Sequence, residues 1–313
     1  MERSQQPEQG EAGQDAYKVY DLIALSGPEA MLQELRHIGG LLDMHEEMAL
    51  LESAIADTVR LFGGSYPGYR ASNTAYHDLG HTASAALTLA RLMHGSRVEG
   101  AGFPPRKAYL VLVSALFHDA GLIQTEDDTD GTGAKYTVGH ELRSITFVQR
   151  YLSSLGFSHS DIAFCANAIS ATMLALDFAE IPFESEENRQ LGRMLGTADL
   201  LAQMADRLYL EKLLLLYMEF REARLPEYRS AYDLLVKTDS FYNELVKNRL
   251  SNTLGGVDHY QRAHFRERWG VDRQLYAEYI VKNIKYLTFI LNQYGNDYRA
   301  KLRRGGILQH VEV

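Results

Sequence analysis

Between residues 108 and 119 the chain reads Ala108-Tyr109-Leu110-Val111-Leu112-Val113-Ser114-Ala115-Leu116-Phe117-His118-Asp119. An apolar run of this length is far shorter than the roughly 20 residues that a membrane span requires, so it is typical of a helix in a protein core. The run ends in an imidazole and a carboxylate, which are costly to bury unless a partner or a cation compensates them. The stretch therefore predicts a strongly apolar helix with candidate metal ligands at its end.

Helical periodicity continues on both sides of this stretch. Met44, Met48, Leu51, Ile55 and Val59 follow one another at steps of three and four residues, which is typical of one buried helix face. Further helices are predicted over 81–93, 140–151, 162–173, 192–220, 232–250, 258–269 and 272–293. Because no segment shows a convincing alternating strand pattern, the predicted fold class is all-α.

Three regions are predicted along the chain. Residues 1–16 are rich in Gln, Glu and Gly, which predicts a disordered tail. Residues 31–225 contain the metal-ligand motifs and are predicted to form one helical domain. Residues 226–302 are predicted to be a C-terminal helical extension packed on that domain.

Composition limits the classes of partner. The formal net charge of -9 argues against a broad basic face that would hold long nucleic acid. One cysteine, Cys165, excludes an internal disulfide and is interpreted as a small buried residue. The absence of a long apolar run and of a signal-peptide pattern predicts a cytoplasmic protein with no membrane contact.

Four short motifs place ligand-type side chains in helical, apolar surroundings. They are Tyr76-His77-Asp78-Leu79-Gly80-His81, Phe117-His118-Asp119, Gly139-His140-Glu141 and Thr197-Ala198-Asp199. His77 and His81 are four residues apart, which predicts that they share one face of a helix. Imidazole and carboxylate together suit borderline or hard divalent metals, so these motifs predict a metal centre that activates water.

The ordered series His81, His118-Asp119 and Asp199 resembles the HD superfamily of metal-dependent phosphohydrolases. The resemblance covers roughly residues 70–210 and implies an HD-domain-like helical bundle with a C-terminal helical extension. It implies that these four residues bind the first metal, and that Asp119 also bridges to a second metal if one is present.

The same resemblance assigns two further histidines. His77 matches the general acid that protonates the leaving oxygen, and His140 matches a histidine at or near the second ion. Members of the superfamily use zinc, manganese, magnesium, iron or nickel. The resemblance thus implies one or two divalent ions without selecting the metal.

The first motif, Asn73-x-x-Tyr76-His77-Asp78-x-x-His81-Thr82, also resembles the signature of class I cyclic-nucleotide phosphodiesterases. Asp78 stands where that signature has Asn, and Ser84 where it has Asp. The predicted function is a metal-dependent phosphohydrolase, with a cyclic-nucleotide phosphodiesterase as the favoured form.

Several alternatives stay open. The substrate is predicted to be a small phosphorylated compound, either a cyclic nucleotide or another nucleotide or nucleoside phosphate. Gln203 and Arg207 follow Asp199 at four and eight residues, on the same face of the predicted helix, and are weak candidates for substrate contacts. A non-catalytic nucleotide-binding regulatory protein, an HD-type di-iron oxygenase and a homodimer are the remaining options.

Overall fold

The structure is a computed structural model that describes residues 22, 23, 25 and 27–309. The predicted disordered tail, residues 1–16, lies outside the described residues. Within the described part the chain forms eleven α-helices and no β-strand, which confirms the predicted all-α class. None of the described helices is long and apolar enough to cross a membrane.

The α-helices differ in length and are joined by short turns, 3-10 helices and a π-helical stretch. Their bounds are α1 Pro28–Leu41, α2 Met48–Phe62, α3 Leu79–Val98, α4 Pro105–Phe117, α5 His140–Ser154, α6 His159–Ser170, α7 Glu186–Met204, α8 Tyr209–Glu222, α9 Ala231–Ser240, α10 Tyr260–Trp269 and α11 Leu275–Tyr294. Two π-helical segments, Phe241–Val246 and Arg249–Thr253, follow α9.

Helix α4 belongs to the first apolar core. Proline in its first turn suits a helix start because that position has no intrahelical partner for an N–H group. Every residue from Ala108 to Phe117 is buried. Helices α1, α2, α3, α5, α6 and the first part of α7 contribute the other side chains of this core. Cys165 is buried in it, as predicted.

Helix α3 runs through the point where the sequence predicted its end, His94-Gly95, and continues to Val98. Helix α10 crosses it there. A Cβ atom on Gly95 would lie 1.8 Å from the carbonyl oxygen of Tyr260. The glycine therefore serves a close helix crossing rather than a helix end.

The predicted long helix over 192–220 is divided into α7 and α8 by the turn at residues 205–208. Within the turn, the carboxylate of Asp206 accepts the N–H of Leu208 at 2.8 Å. Asn283 of α11 donates to the carbonyls of Met204 and Asp206 at 2.9 and 2.8 Å. The helix ends here because a distant side chain satisfies carbonyls that would otherwise need intrahelical partners.

A second apolar core joins the end of α7 to α8, α9, α10 and α11. It includes Leu213 and Leu214 before residue 225, and Leu234 and Leu287 after it. The boundary between the domains predicted for 31–225 and 226–302 stays a prediction.

Candidate metal centre

The start of α3, the end of α4 and the second half of α7 bring His81, His118, Asp119 and Asp199 together. His81 lies in the first turn of α3, where the N-cap residue Asp78 accepts its backbone N–H at 2.8 Å. His118 is the C-cap of α4, and Asp119 follows it directly. Asp199 lies in the second half of α7. Except for Asp199, whose side chain is 21% exposed, these side chains are nearly inaccessible to water.

The ligand-type atoms converge on one small volume. His81, His118 and Asp119 each place a donor atom within 4.8 Å of the other two, and could hold a metal ion. Asp119 Oδ2 lies 3.4 Å from His81 Nε2 and 3.2 Å from His118 Nε2. Asp199 Oδ1 lies 3.1 and 3.5 Å from the same two nitrogens. Two nitrogens and two carboxylates therefore surround the same space.

The orientation of His118 also suits a cation. Its Nδ1 donates to the carbonyl of Ala115 at 2.8 Å, which leaves Nε2 as the atom with the free lone pair. Nε2 of His118 and Oδ2 of Asp119 are buried and have no hydrogen-bond partner. Two buried acceptors that face each other without a proton or cation between them are unfavourable. The residues present thus fit a divalent metal.

The charged side chains among these candidate ligands strongly shift the pKa values of their neighbours. Burial lowers the pKa of His118, but Asp119 and Asp199 outweigh burial and raise that pKa well above its usual value. Burial raises the pKa of Asp119, but the neighbouring His118 and His77 hold it well below its usual range. The site therefore stabilises positive charge, which protons supply when no metal is bound.

His140 lies on the other side of Asp119. Its Nε2 is 3.3 Å from Asp119 Oδ1, and its Nδ1 donates to the carbonyl of Thr137 at 2.8 Å. A Cβ on Gly121 would lie 2.0 Å from the His140 carbonyl oxygen, so the glycine after Asp119 permits this approach. Asp119 thus presents one oxygen to His81 and His118 and the other to His140. This is the placement that a bridging carboxylate requires, and the second-metal role of His140 stays a prediction.

His77 is outside the helix, contrary to the prediction that it shares a helical face with His81. Because Asp78 is the N-cap of α3, His77 lies one residue before the cap. The two imidazole rings are nevertheless near each other, with centroids 5.8 Å apart. The His77 ring is also 5.8 Å from that of His140, so it faces the same site.

Glu219 of α8 holds His77 in place, and the sequence did not single it out. Its Oε2 lies 2.5 Å from His77 Nδ1, and its Oε1 accepts the backbone N–H of Tyr76 at 2.6 Å. The Glu219 side chain is 2% exposed. The sequence did contain one indication of this role. Glu219 falls three residues after the buried Leu216 and therefore on the same face of α8, where a carboxylate requires a partner.

The carboxylates around His77 set its charge. Burial lowers the pKa of His77, but Asp119, Glu219 and Asp199 outweigh burial and raise that pKa to about 9. The imidazole is therefore protonated at neutral pH. Because Nδ1 faces Glu219, Nε2 is the atom that can give a proton to another molecule.

The two weak candidates for substrate contact are separated. Gln203 lies in the last turn of α7, lines the cavity beside the metal cluster, and interacts with the Tyr76 hydroxyl. Arg207 lies in the turn after α7 and is exposed, so its predicted position on the helical face of Asp199 is wrong. The helix ends at Met204 before it reaches Arg207.

A sequence profile matches residues 67–265, which is more than half of the chain. The chain belongs to the Npun_R2479-like family. The matched segment contains His77, His81, His118, Asp119 and His140, together with Asp199 and Glu219. A search of curated proteins finds no match. The segment that matches the Npun_R2479-like family therefore includes every residue of the candidate metal centre.

The group of candidate metal ligands opens into a large cavity of about 900 Å³. His77, His118, Asp119, His140 and Asp199 line one part of it. Much of the remainder is lined by residues of α8, α9 and the π-helical segment that follows α9, with others from the turn before α5 and the loop after α6. A cavity of this size is at the upper end of the range for small-molecule sites, roughly 300–1,000 Å³.

Proposed function

We propose that this protein is a metal-dependent phosphohydrolase that acts on a small phosphoester. The observation that supports this most is the buried convergence of His81, His118, Asp119 and Asp199 at the floor of a cavity. The unpartnered His118 Nε2 and Asp119 Oδ2 support a cation between them. The protonated His77 beside this cluster supports acid catalysis.

His81, His118, Asp119 and Asp199 would hold one ion, and Asp119 Oδ1 with His140 would contribute to a second. Such a divalent ion lowers the pKa of bound water toward roughly 7 and polarises a phosphoryl oxygen. Zn, Mn, Mg, Fe and Ni all suit a mixed nitrogen and oxygen donor set, so the donors alone do not select one.

His77 would protonate the leaving oxygen from its Nε2. Glu219 keeps Nδ1 engaged at 2.5 Å, which fixes the ring orientation and stabilises the imidazolium. A general acid of this kind contributes on the order of 10²–10⁴-fold to a rate. The retained acid favours an enzyme over the regulatory protein that binds a nucleotide without turnover.

Substrate anions would be bound mainly by the metal. Among the described residues that line the cavity, Lys237 is the one lysine and no arginine occurs. Its Nζ already lies 2.9 Å from a carboxylate oxygen of Asp233, and it also donates to the Glu227 carbonyl. A cyclic nucleotide stays a candidate substrate, with nucleotides and nucleoside phosphates as alternatives.

The test is a turnover screen on protein reconstituted with Mn²⁺ or Zn²⁺, using cyclic nucleotides, nucleotides, alkyl phosphates and generic phosphodiesters. Asp119→Asn should abolish turnover, because it removes the carboxylate shared by His81, His118 and His140. The matched control is Asp57→Asn in α2, an aspartate paired with Arg60 at a distance from the cavity. Absence of turnover on every substrate by metal-loaded wild-type protein would exclude the hydrolase.

A further inference from the structure

The cavity is polar at one end and apolar at the other. Away from the metal cluster its wall is formed by side chains of α8, of the segment between α8 and α9, of α9, and of the following π-helical segment. They include Leu213, Leu216, Phe220, Leu225, Leu234 and Phe241. A ligand that fills this volume must therefore be polar at one end and apolar over most of its length.

Three hydroxyl groups that line the cavity donate to the backbone. Thr238 Oγ1 donates to the Leu234 carbonyl at 2.8 Å, and Ser240 Oγ donates to the Lys237 carbonyl at 3.0 Å. Thr172 Oγ1 donates to the Ile169 carbonyl at 2.8 Å. A nucleobase requires hydrogen-bond donors and acceptors for its edge, whereas an alkyl chain requires none. The part of the wall formed by the leucine and phenylalanine side chains therefore favours the alkyl chain.

Several side chains that line the cavity are exposed to solvent, and they include three apolar ones beside the polar Lys237, Ser240 and Glu244. Val138, Leu174 and Leu245 line the cavity and are 73%, 42% and 40% exposed. They come from three separate segments, namely the turn before α5, the loop after α6 and the π-helical stretch. Arg249 fixes the loop by donating to the carbonyls of Ala171 and Met173 at 3.0 and 2.8 Å. Exposed apolar side chains that surround one opening indicate a site for an apolar ligand.

We propose that the substrate is an amphipathic phosphoester whose leaving group carries an apolar chain. This proposal rests on the proposed phosphohydrolase function of the same site. The phosphoryl group lies at His81, His118, Asp119 and Asp199, and the chain extends past α8 toward Leu245.

Hydrolysis forms a bond from a water oxygen to phosphorus and breaks the bond from phosphorus to the alkyl oxygen. That oxygen takes the proton from His77 Nε2, and the products are an alcohol and a phosphate. Water supplies the proton that returns to His77, so no further reactant is required.

The first measurement is calorimetric binding of alkylphosphonates, from ethyl to decyl, to the Mn²⁺-loaded full chain. Alkylphosphonates retain the head group but have no ester bond to break, so binding is read without turnover. Affinity should rise about threefold to fourfold for each added methylene until the chain reaches the end of the cavity. An affinity that is independent of chain length would overturn the proposal.

The second measurement tests a charged substitution at the opening of the cavity. Leu245→Asp should weaken decylphosphonate binding about tenfold and leave ethylphosphonate binding within about twofold, because burial of an apolar chain beside a carboxylate is unfavourable. The matched control is Leu50→Asp, since Leu50 is 36% exposed in α2 and does not line the cavity. Both variants should melt like wild type. Equal losses for the ethyl and decyl ligands would contradict the proposal.

The source of the ligand is tested with free monomeric decylphosphonate and with phosphatidylcholine vesicles that do or do not contain phosphatidic acid. Binding to the free compound supports a soluble amphiphile, and binding only to vesicles with phosphatidic acid supports a lipid in a bilayer. Binding to neither overturns the proposal. Chain-dependent binding without hydrolysis of the matching alkyl phosphates would retain an amphipathic phosphate as the ligand of this cavity, but would exclude the proposed function and with it the role of that ligand as a substrate. Hydrolysis of phosphoesters with affinities independent of chain length would do the reverse.

Discussion

Two groups of buried histidines in this protein have opposite surroundings. At the candidate metal centre, His118 lies between the carboxylates of Asp119 and Asp199. At the crossing of α3 and α10, His94 and His264 face each other with their Nδ1 atoms 3.1 Å apart. His264 is fully buried and His94 is 6% exposed, so both groups are removed from water.

The charges around each group decide its protonation. Burial lowers the pKa of His264, and Arg91, His94 and Arg268 lower it further. Burial also lowers the pKa of His94, with Arg268 adding to the effect. At the metal centre the carboxylates reverse the effect of burial. A buried histidine therefore indicates a cation site only where carboxylates, rather than guanidinium groups, surround it.

The largest effect is expected from removing a ligand at the metal centre. His118→Ala should weaken Mn²⁺ or Zn²⁺ binding by more than about 100-fold, because even residues that only orient metal ligands cost roughly 10- to 100-fold. His264→Ala should leave metal affinity unchanged. Metal titration by calorimetry measures both variants. A similar loss of affinity in the two would show that the carboxylates do not distinguish the two groups.

A smaller effect is expected from Glu219, which orients His77 without belonging to the metal cluster. Glu219→Gln should lower kcat about 10- to 100-fold with metal content unchanged, since it removes a charge that holds the imidazolium. The alkaline limb of the kcat profile should move to lower pH, because the Glu219 carboxylate raises the pKa of His77.

Glu222→Gln is the matched control on the same helix. The Glu222 carboxylate accepts the N–H and hydroxyl of Thr132 at 2.6 and 2.7 Å and does not contact His77. This variant should keep the position of the alkaline limb. A limb that stays in place in Glu219→Gln would show that Glu219 is structural only.

The smallest expected effect is on how the free energy of unfolding depends on pH. In metal-free protein, the histidines of the metal centre and those at the α3–α10 crossing should change it in opposite directions. His264 has a lowered folded pKa, so its contribution is present above about pH 6.5 and is lost as pH falls below that unfolded value. His77 has a raised folded pKa, so its contribution is present below about pH 6.5 and is lost as pH rises toward about 9.

Urea unfolding from pH 5 to 9 measures these slopes. One titrating histidine changes the free energy of unfolding by at most about 1.4 kcal/mol per pH unit. His264→Gln should flatten the slope below about pH 6.5 and leave the slope above it unchanged. If the free energy of unfolding of the wild type keeps rising as the pH falls from 6.5 to 5, the lowered pKa assigned to His264 is contradicted.

Local pattern was enough to place part of the candidate site. The apolar run 108–117 and the pair that follows it predicted His118 and Asp119 at a helix end, and His140 was predicted at a helix start. These predictions depend on neighbours within one or two turns, where periodicity and composition are informative. The prediction for His77 was wrong because Asp78 is the N-cap of α3, so the helix begins only after His77.

Contacts between distant residues were not predictable in the same way. His77 and Glu219 are separated by 142 positions, and His94 and His264 by 170. The break between α7 and α8 depends on Asn283 of α11. No local periodicity carries information on such pairs, because they form only when helices pack.

The sequence alone determined that the chain is all-α and which histidines and aspartates are candidate ligands, since both follow from side-chain type and short-range spacing. Tertiary structure decided which nitrogen of His118 is free, that Glu219 holds His77, and that an apolar cavity opens beside the ligands. Those properties are relations between helices, and packing of the two apolar cores sets them.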